Sequence, residues 1–169
     1  MSQDDFKITD DTIFAAGVLV RSKGKYLLGK VTGSKVDQAW TIFKGCYDEK
    51  DKGFLDTALR ELKEESNISV TLDEAKNIVS LCAGMAHHYT VKKSNKLVIV
   101  YFLDDPSGRL HDVELKCNSF FGKNKDIPEI CSYKWFVFDE LRDHLLKSQQ
   151  GLVDTMEDFL SYWDGIRCE

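Results

Sequence analysis

The amino-acid sequence predicts an α/β fold in which helices cover both faces of a mixed β-sheet. Short runs of apolar and β-branched residues, typical of buried strands, occur at the start, in the middle and near the end of the chain. A segment with the helical spacing of apolar residues interrupts them, and two amphipathic segments follow the last run. Strands that alternate with helices in this order bury their apolar faces in a layered sheet.

The first two strands are predicted to form a hairpin. The apolar run from Thr12 to Val20 is followed by the polar stretch RSKGK, and the apolar pattern resumes at YLLGKV. Gly24 supplies the turn, because glycine adopts left-handed backbone conformations without steric cost. The stretch WTIF is a short strand that leads to Gly45, and the polar loop GCYDEKDKG follows it.

A helix is predicted from Phe54, where the spacing of apolar residues changes to three and four. Asn67 is expected to end this helix, since asparagine tolerates the left-handed conformation of a helix cap. The apolar stripe of the helix consists of Phe54, Leu55, Ala58, Leu59 and Leu62.

The second half of the chain is predicted to hold further strands and two closing helices. The strands are NIVSLCAGMAHHYTV, KLVIVYFL and SYKWFVF, and the second of these is rich in β-branched and aromatic residues. The segment DDPSGRLHDVELKCNSFFGKNKDIPE mixes turn-forming and charged residues, which predicts a loop. DELRDHLL and GLVDTMEDFLSYW are the two predicted helices. No linker divides the chain, so residues 1–169 are expected to form a single domain.

The composition argues against several classes of protein. A formal net charge of -5 disfavours tight, sequence-independent binding to long nucleic acid. The five cysteines stand far apart without a Cys-x-x-Cys pair, which predicts free thiols in a reducing compartment and a cytoplasmic location. The polar N-terminus and the shortness of the apolar runs, about eight residues, predict neither a secretory signal nor a membrane partner. The sequence does not indicate an oligomeric state.

Three carboxylates of the predicted helix, those of Glu61, Glu64 and Glu65, share the face opposite the apolar stripe. Like charges at this spacing destabilise an isolated helix by a few tenths of a kcal/mol per pair. A hard divalent cation such as Mg²⁺ or Mn²⁺ would offset the repulsion, because it prefers carboxylate ligands. The alternative interpretation is a solvated face on which Arg60 and Lys63 offset the negative charge.

The segment RELKEESNI resembles the second half of the Nudix box, Gly-x5-Glu-x7-Arg-Glu-U-x-Glu-Glu-x-Gly-U, in which U is aliphatic. The box covers about residues 45–68. This resemblance implies the Nudix fold, an α/β/α sandwich with a mixed central sheet, in a single Nudix hydrolase domain. The matching residues are Gly45, Arg60, Glu61, Leu62, Glu64, Glu65 and Ile68.

The sequence departs from the family pattern at three places. The interval between Gly45 and Arg60 is one residue longer than in the family, so the loop CYDEKDK is expected to carry an insertion. The first glutamate of the box lacks a clear counterpart, and Asp51 and Glu49 are the alternatives for it. Asn67 replaces the late glycine, whose backbone conformation asparagine also adopts.

The resemblance also implies roles for the residues of the box. Arg60 would orient a glutamate through a bidentate contact, which is the strong mode of arginine binding. The general base is less well defined by the family, and Glu129, Asp105 and a glutamate of the box are the alternatives for it. The implied ligands of Mg²⁺ or Mn²⁺ are Glu61, Glu64, Glu65 and the carbonyl group of Gly45.

Two further segments resemble the asymmetric diadenosine tetraphosphate hydrolases of the Nudix family. YTVKKSNK fits their Tyr-x-x-Lys-x-x-x-Lys pattern, and EICSYKW fits their Glu-x-x-x-Tyr-x-Trp pattern. The implied reaction is cleavage of diadenosine tetraphosphate into ATP and AMP. The implied catalytic residues are Arg60, Glu61, Glu64, Glu65 and Glu129, and the implied substrate-binding residues are Lys44, Tyr89, Lys92, Lys96 and Tyr133.

The lysines would contact the phosphate chain, and the two tyrosines would stack on adenine, where each base contributes about 1–3 kcal/mol. Solvated hairpin lysines and a tyrosine packed in the core are the simpler alternatives. Two other functions stay open: hydrolysis at an RNA 5′ end, including mRNA decapping, and a Nudix-fold module that senses nucleotides without cleaving them.

Overall fold

A computed structural model describes residues 6–34, 39–78, 87–121 and 126–157. Within these ranges the chain forms nine strands and four helices, joined by short 3₁₀ turns. In chain order they are β1 (Ile13–Ser22), β2 (Lys25–Val31), β3 (Trp40–Thr41), β4 (Phe43–Cys46), α1 (Phe54–Ser66), α2 (Leu72–Ile78), β5 (His87–Val91), β6 (Lys96–Asp105), β7 (Phe120–Phe121), β8 (Ile127–Pro128), β9 (Ile130–Phe136), α3 (Phe138–His144) and α4 (151–157).

The described strands form a mixed seven-stranded sheet and a separate two-stranded hairpin. At the centre of the sheet, β1 pairs in parallel with β6 and antiparallel with both β2 and β4. The strand β2 also pairs antiparallel with β3 and β9, and β5 pairs antiparallel with β6. The hairpin consists of β7 and β8. The predicted α/β fold with a mixed sheet is confirmed.

Both faces of β1 are covered, which places the core on either side of this strand. Residues 15–20 are all buried, although successive side chains of a strand point to opposite faces. The helix α1 packs on β1 and β4. Its apolar stripe provides the contact, since Ala58 and Leu62 are fully buried and Leu59 is 5% exposed.

The predicted hairpin and the first helix are confirmed. Lys23 and Gly24 both have positive φ angles, 50° and 77°, which is the two-residue turn whose twist matches that of the flanking strands. The helix α1 begins at Phe54, as predicted from the spacing of its apolar residues. Asn67 follows it in the left-handed conformation, with φ of 71°, so its role as the helix cap is also confirmed.

The segment NIVSLCAGMAHHYTV departs from the predicted strand. Its first two residues belong to α2, its last five form β5, and residues 79–86 lie outside the described ranges. Thr71 begins α2 by accepting a hydrogen bond from the backbone N–H of Glu74 at 3.1 Å, and this cap favours helix over strand. The predicted loop after β6 holds one 3₁₀ turn and the β7–β8 hairpin.

The last predicted helix, GLVDTMEDFLSYW, is helical over 151–157, and its remainder lies outside the described ranges. Across the part of the chain that the structure describes, every helix is too short or too polar to span a lipid bilayer.

Candidate active site

A cleft of about 430 Å³ opens where β4, the second half of α1 and the start of β6 meet. The carboxylates come from α1 and from the segment before β9, and the amines come from β4 and β6. The cleft thus combines carboxylates, which are the ligands that hard cations prefer, with amines, whose positive charge attracts phosphate. The predicted site residues in its lining are Lys44, Gly45, Glu61, Glu64, Glu65, Lys96 and Glu129.

The guanidinium group of Arg60 joins the loop before α1 to two carboxylates of the helix. Its Nε and Nη2 atoms donate to the two carboxylate oxygens of Asp51, both at 3.0 Å. Its Nη1 atom donates to Oε1 of Glu61 at 2.9 Å and to Oε1 of Glu64 at 3.3 Å. The bidentate contact expected with a glutamate is thus made with Asp51, and Glu61 and Glu64 each accept a single hydrogen bond from Arg60.

The contact with Arg60 also distinguishes between the two alternatives for the first acid of the box. Asp51 follows Gly45 after five intervening residues, as the first glutamate does in the family pattern, so the extra residue falls between Asp51 and Arg60. Glu49, by contrast, is exposed to solvent. The Gly-x5 spacing was therefore a usable signal, since it identifies Asp51 without the structure.

The Asp51 carboxylate makes stability depend on acid pH. Hydrogen bonds from Arg60, joined by that from Thr57, lower its pKa from 3.8 to about 2, although burial opposes the shift. Because the folded-state pKa is the lower one, the stabilisation is complete above pH 3.8 and disappears as the pH falls through about 2.

We therefore expect the Asp51→Asn variant to lose free energy of unfolding at pH 6 and to converge on the wild type near pH 2. Urea denaturation at pH values between these limits measures the difference. Glu49→Gln, in the same loop, is the matched control and should follow the wild type. A difference between Asp51→Asn and the wild type that does not change with pH would contradict the ion-pair account.

Gly45 and Glu61 are in close contact across the interface between β4 and α1. A Cβ atom at Gly45 would overlap the carboxylate group of Glu61. Glu61 is 8% exposed, and burial, with the nearby charge of Glu64, raises its pKa, although Arg60 opposes the shift. The glycine is thus required by the position of a buried carboxylate and not by an unusual backbone angle.

Glu65 is the most buried of the three carboxylates of the box, at 4% exposure. Its Oε1 atom accepts a hydrogen bond from the backbone N–H of Lys44 at 2.9 Å. Burial raises its pKa to about 8, although this hydrogen bond opposes the shift. A nearby cation would favour the ionised form of such a group.

The donor chemistry of the cleft fits a hard divalent cation, since every candidate ligand is a carboxylate or carbonyl oxygen. Among the residues described here, no three acidic, histidine or cysteine side chains already stand close enough together to hold a metal ion. The guanidinium of Arg60 lies between the carboxylates of Glu61 and Glu64 instead.

The last four carbonyl groups of α1, at residues 63–66, all accept hydrogen bonds from outside the regular helix. The last carbonyl groups of a helix lack partners within it, so these bonds fix the turn that carries Glu64 and Glu65. The donors are the backbone N–H groups of Asn67, Asn118 and Lys116 to residues 63, 64 and 66, and the hydroxyl group of Tyr133 to Glu65.

The two predicted stacking tyrosines have other positions. Tyr89 is 8% exposed and packs in the core, where its hydroxyl oxygen accepts a hydrogen bond from Gln149 at 3.2 Å. Tyr133 packs against Phe43, with ring centroids 6.1 Å apart, and its hydroxyl donates to the Glu65 carbonyl. Tyr89 thus has no open ring face for adenine, and Tyr133 positions a helix residue.

Lys92 and Asp105 lie away from the cleft. Lys92 is exposed in the 3₁₀ turn between β5 and β6, in contrast to Lys96, which lines the cleft. Asp105 is at the opposite end of β6 from Lys96, about 30 Å along the strand. Its carboxylate accepts hydrogen bonds from Ser22, Ser107 and the backbone of Leu110.

Burial alone would raise the pKa of Asp105, but these hydrogen bonds lower it. Asp105 is therefore a structural carboxylate. It lies too far from the cleft to be the general base, so that alternative was wrong.

Glu129 lines the cleft, and Ser119 fixes its carboxylate. The Ser119 hydroxyl donates to Oε2 of Glu129 at 2.7 Å, and the Glu129 backbone N–H donates to the Ser119 carbonyl at 2.8 Å. Ser119 and Phe121 also line the cleft, and neither was identified from the sequence. Their segment mixes turn-forming and charged residues and contains no recognised motif. Its only local pattern is that Ser119 and Phe121 are two residues apart, as residues on the same face of a strand are.

The mixed sheet, the acidic helix that packs on it at Gly45 and the arginine that joins the acids agree with the Nudix resemblance of the sequence. The chain belongs to the Nudix hydrolase family: the family model described as NUDIX domain matches residues 12–159. No curated protein sequence matches the chain.

Solved structures similar to this one come from several organisms. The C. elegans Ap4A hydrolase binary complex is 20% identical, with a TM-score of 0.58 over 89% of this chain and 98% of that chain. The E. coli ORF135 protein is 18% identical, with a TM-score of 0.57 over 90% of this chain and 93% of that chain.

The NUDIX domain of Shewanella oneidensis NrtR, complexed with ADP ribose, is 14% identical, with a TM-score of 0.59 over 94% of this chain and 95% of that chain. At such identities the likeness shows a shared fold.

Proposed function

We propose that this protein is a Mg²⁺- or Mn²⁺-dependent pyrophosphohydrolase that cleaves diadenosine tetraphosphate into ATP and AMP. The observation that carries the proposal is the cleft itself, in which three carboxylates of the box and Glu129 face the same space as Lys44 and Lys96. A polyphosphate requires this combination, because it needs cationic partners along its length and an acceptor for the proton of the attacking water.

Glu61, Glu64 and Glu65, with the carbonyl group of Gly45, would hold the cation. When bound, a divalent cation offsets the negative charge of the diphosphate and lowers the pKa of a coordinated water. The carboxylates need support in order to face one another, and the chain provides it. Arg60 contacts Glu61 and Glu64, and the Lys44 backbone holds Glu65.

The remaining steps belong to side chains of the cleft walls. The ammonium groups of Lys44 and Lys96 bind phosphate oxygens and orient the chain of phosphates. Glu129 accepts the proton of the attacking water. We assign this step to its Oε1 atom, because Oε2 is already the acceptor for the Ser119 hydroxyl.

The segment YTVKKSNK, which resembles the Tyr-x-x-Lys-x-x-x-Lys pattern, supports the choice of diadenosine tetraphosphate. Its last lysine, Lys96, lines the cleft. The likeness in fold to the C. elegans Ap4A hydrolase is consistent with it. RNA 5′ ends are the alternative substrate, and the net charge of -5 disfavours them. ADP ribose is a further substrate to test, because the NrtR NUDIX domain was solved with that ligand.

Product analysis tests the proposal. The full chain is incubated with diadenosine tetraphosphate and Mg²⁺, and the products are separated by ion-exchange chromatography. We expect ATP and AMP in equal amounts, and no product after chelation of the metal. Two molecules of ADP, or no turnover, would reject the assignment. Parallel reactions with triphosphorylated RNA, capped RNA, diphosphoinositol phosphates and ADP ribose show whether another substrate is preferred.

A further inference from the structure

The β7–β8 hairpin presents one of its faces to the cleft. Phe121 pairs with Ile127 and Phe120 pairs with Pro128. Directly opposed residues of antiparallel strands lie on the same face, and the face alternates along each strand. Ser119, Phe121 and Glu129 all line the cleft, as this alternation requires.

Phe121 leaves much of its ring exposed in a charged cleft. Its side chain is 46% exposed, and that of Ile127, its partner across the hairpin, is 54% exposed. Exposed aromatic rings grouped with another large apolar residue mark surfaces that bind a ligand or partner. The lining also contains four carboxylates and two lysines, so a ligand that uses both these groups and Phe121 has a charged part and a flat apolar part.

A nucleoside phosphate has both parts. Its phosphates complement Lys44 and Lys96, and its base offers a flat π face that stacks on an aromatic ring. Among the described residues that line the cleft, Phe121 is the aromatic one. Tyr89 is buried in the core, and Tyr133 is held against α1.

We propose that Phe121, flanked by Ile127 on the same face of the hairpin, is the platform on which a nucleobase of the substrate stacks. This inference rests on the proposed function, because the stacking requires a substrate that contains a nucleobase. Phe121 lines the same cleft as Glu129, to which we assign the proton of the attacking water.

Binding of two non-hydrolysable ligands tests the platform. α,β-Methylene-ADP carries a base, whereas methylenediphosphonate carries the same bridged phosphorus atoms without a nucleoside. Isothermal titration of the full chain with each ligand, in the presence of Mg²⁺, gives the two affinities. We expect Phe121→Ala to weaken α,β-methylene-ADP binding about tenfold, and to leave methylenediphosphonate binding unchanged.

Two further variants complete the design. Phe121→Trp keeps a flat ring and should retain the affinity for α,β-methylene-ADP. Phe120→Ala is the matched control, since Phe120 is 39% exposed on the other face of the same hairpin, and this variant should bind as the wild type does.

Unchanged α,β-methylene-ADP affinity in Phe121→Ala would overturn the platform. An equal loss in Phe120→Ala, or an equal loss for methylenediphosphonate, would also overturn it, because the effect would then be a general distortion of the hairpin. A base-dependent loss at Phe121 in a protein that fails to cleave diadenosine tetraphosphate would support the platform and reject the proposed substrate.

Discussion

Replacing Glu65 with glutamine is expected to lower turnover by more than about 100-fold while the protein stays folded. The amide oxygen of glutamine can still accept the hydrogen bond from the Lys44 backbone, so the contact at 2.9 Å is retained. The amide carries no negative charge, so the electrostatic attraction of this position for a cation between α1 and β4 is lost. The glutamine amide is neutral and close in size to the carboxyl group, so stability should not fall.

The measurement is turnover of diadenosine tetraphosphate at saturating Mg²⁺, together with thermal unfolding of the same preparations. Glu64→Gln should lose turnover similarly, because Glu64 lies one turn of the same helix face from Glu61. Glu74→Gln is the matched control, since Glu74 is an acid outside the cleft that pairs with Arg109. If Glu65→Gln turned over substrate at the wild-type rate, this result would contradict a metal-binding role for this face of α1.

Gly45→Ala is expected to lower kcat/KM by about 100-fold. The new methyl group would occupy the position of the Glu61 carboxylate, so that carboxylate must leave its place beside Arg60. The overlap involves the end of the flexible Glu61 side chain, which can move. The substitution should therefore change the geometry of the site and leave the fold intact. Circular dichroism of the variant should therefore match that of the wild type.

Gly151→Ala provides the control for the effect of an added methyl group. Gly151 begins α4, and a Cβ atom there would meet His87 at 3.8 Å, which is an ordinary contact distance. Alanine also favours helix over glycine by up to about 1 kcal/mol, so this variant should be as active as the wild type and at least as stable. Wild-type activity in Gly45→Ala would show that the Glu61 carboxylate has no fixed role.

The sequence predicted the elements that follow simple periodicities. The hairpin at Gly24, the helix from Phe54 and its end at Asn67 all follow from local patterns, and the structure confirms them. The strand predicted from Asn77 was wrong at its first two residues, which end α2. The apolar residues after Asn77 suggested a strand, whereas the Thr71 cap and the acids of the first turn favour a helix.

The candidate site was predictable where its residues share one helix, as in the acidic face of α1. It was not predictable where the tertiary structure decides which side chain reaches the cleft. Tyr89 and Lys96 both fit one family pattern, yet only Lys96 is in the lining. Ser119 and Phe121 enter the cleft through the pairing of β7 with β8, and no spacing along the chain reveals that pairing.

Mn²⁺ binding tests most directly the claim that the acidic face of α1 binds a divalent cation. Electron paramagnetic resonance measures free Mn²⁺ during titration of the full chain, without any substrate. We predict saturable binding by the wild type, at least about tenfold weaker binding by Glu65→Gln, and wild-type binding by Glu74→Gln. Equal Mn²⁺ affinity in the wild type and in Glu65→Gln would contradict the claim.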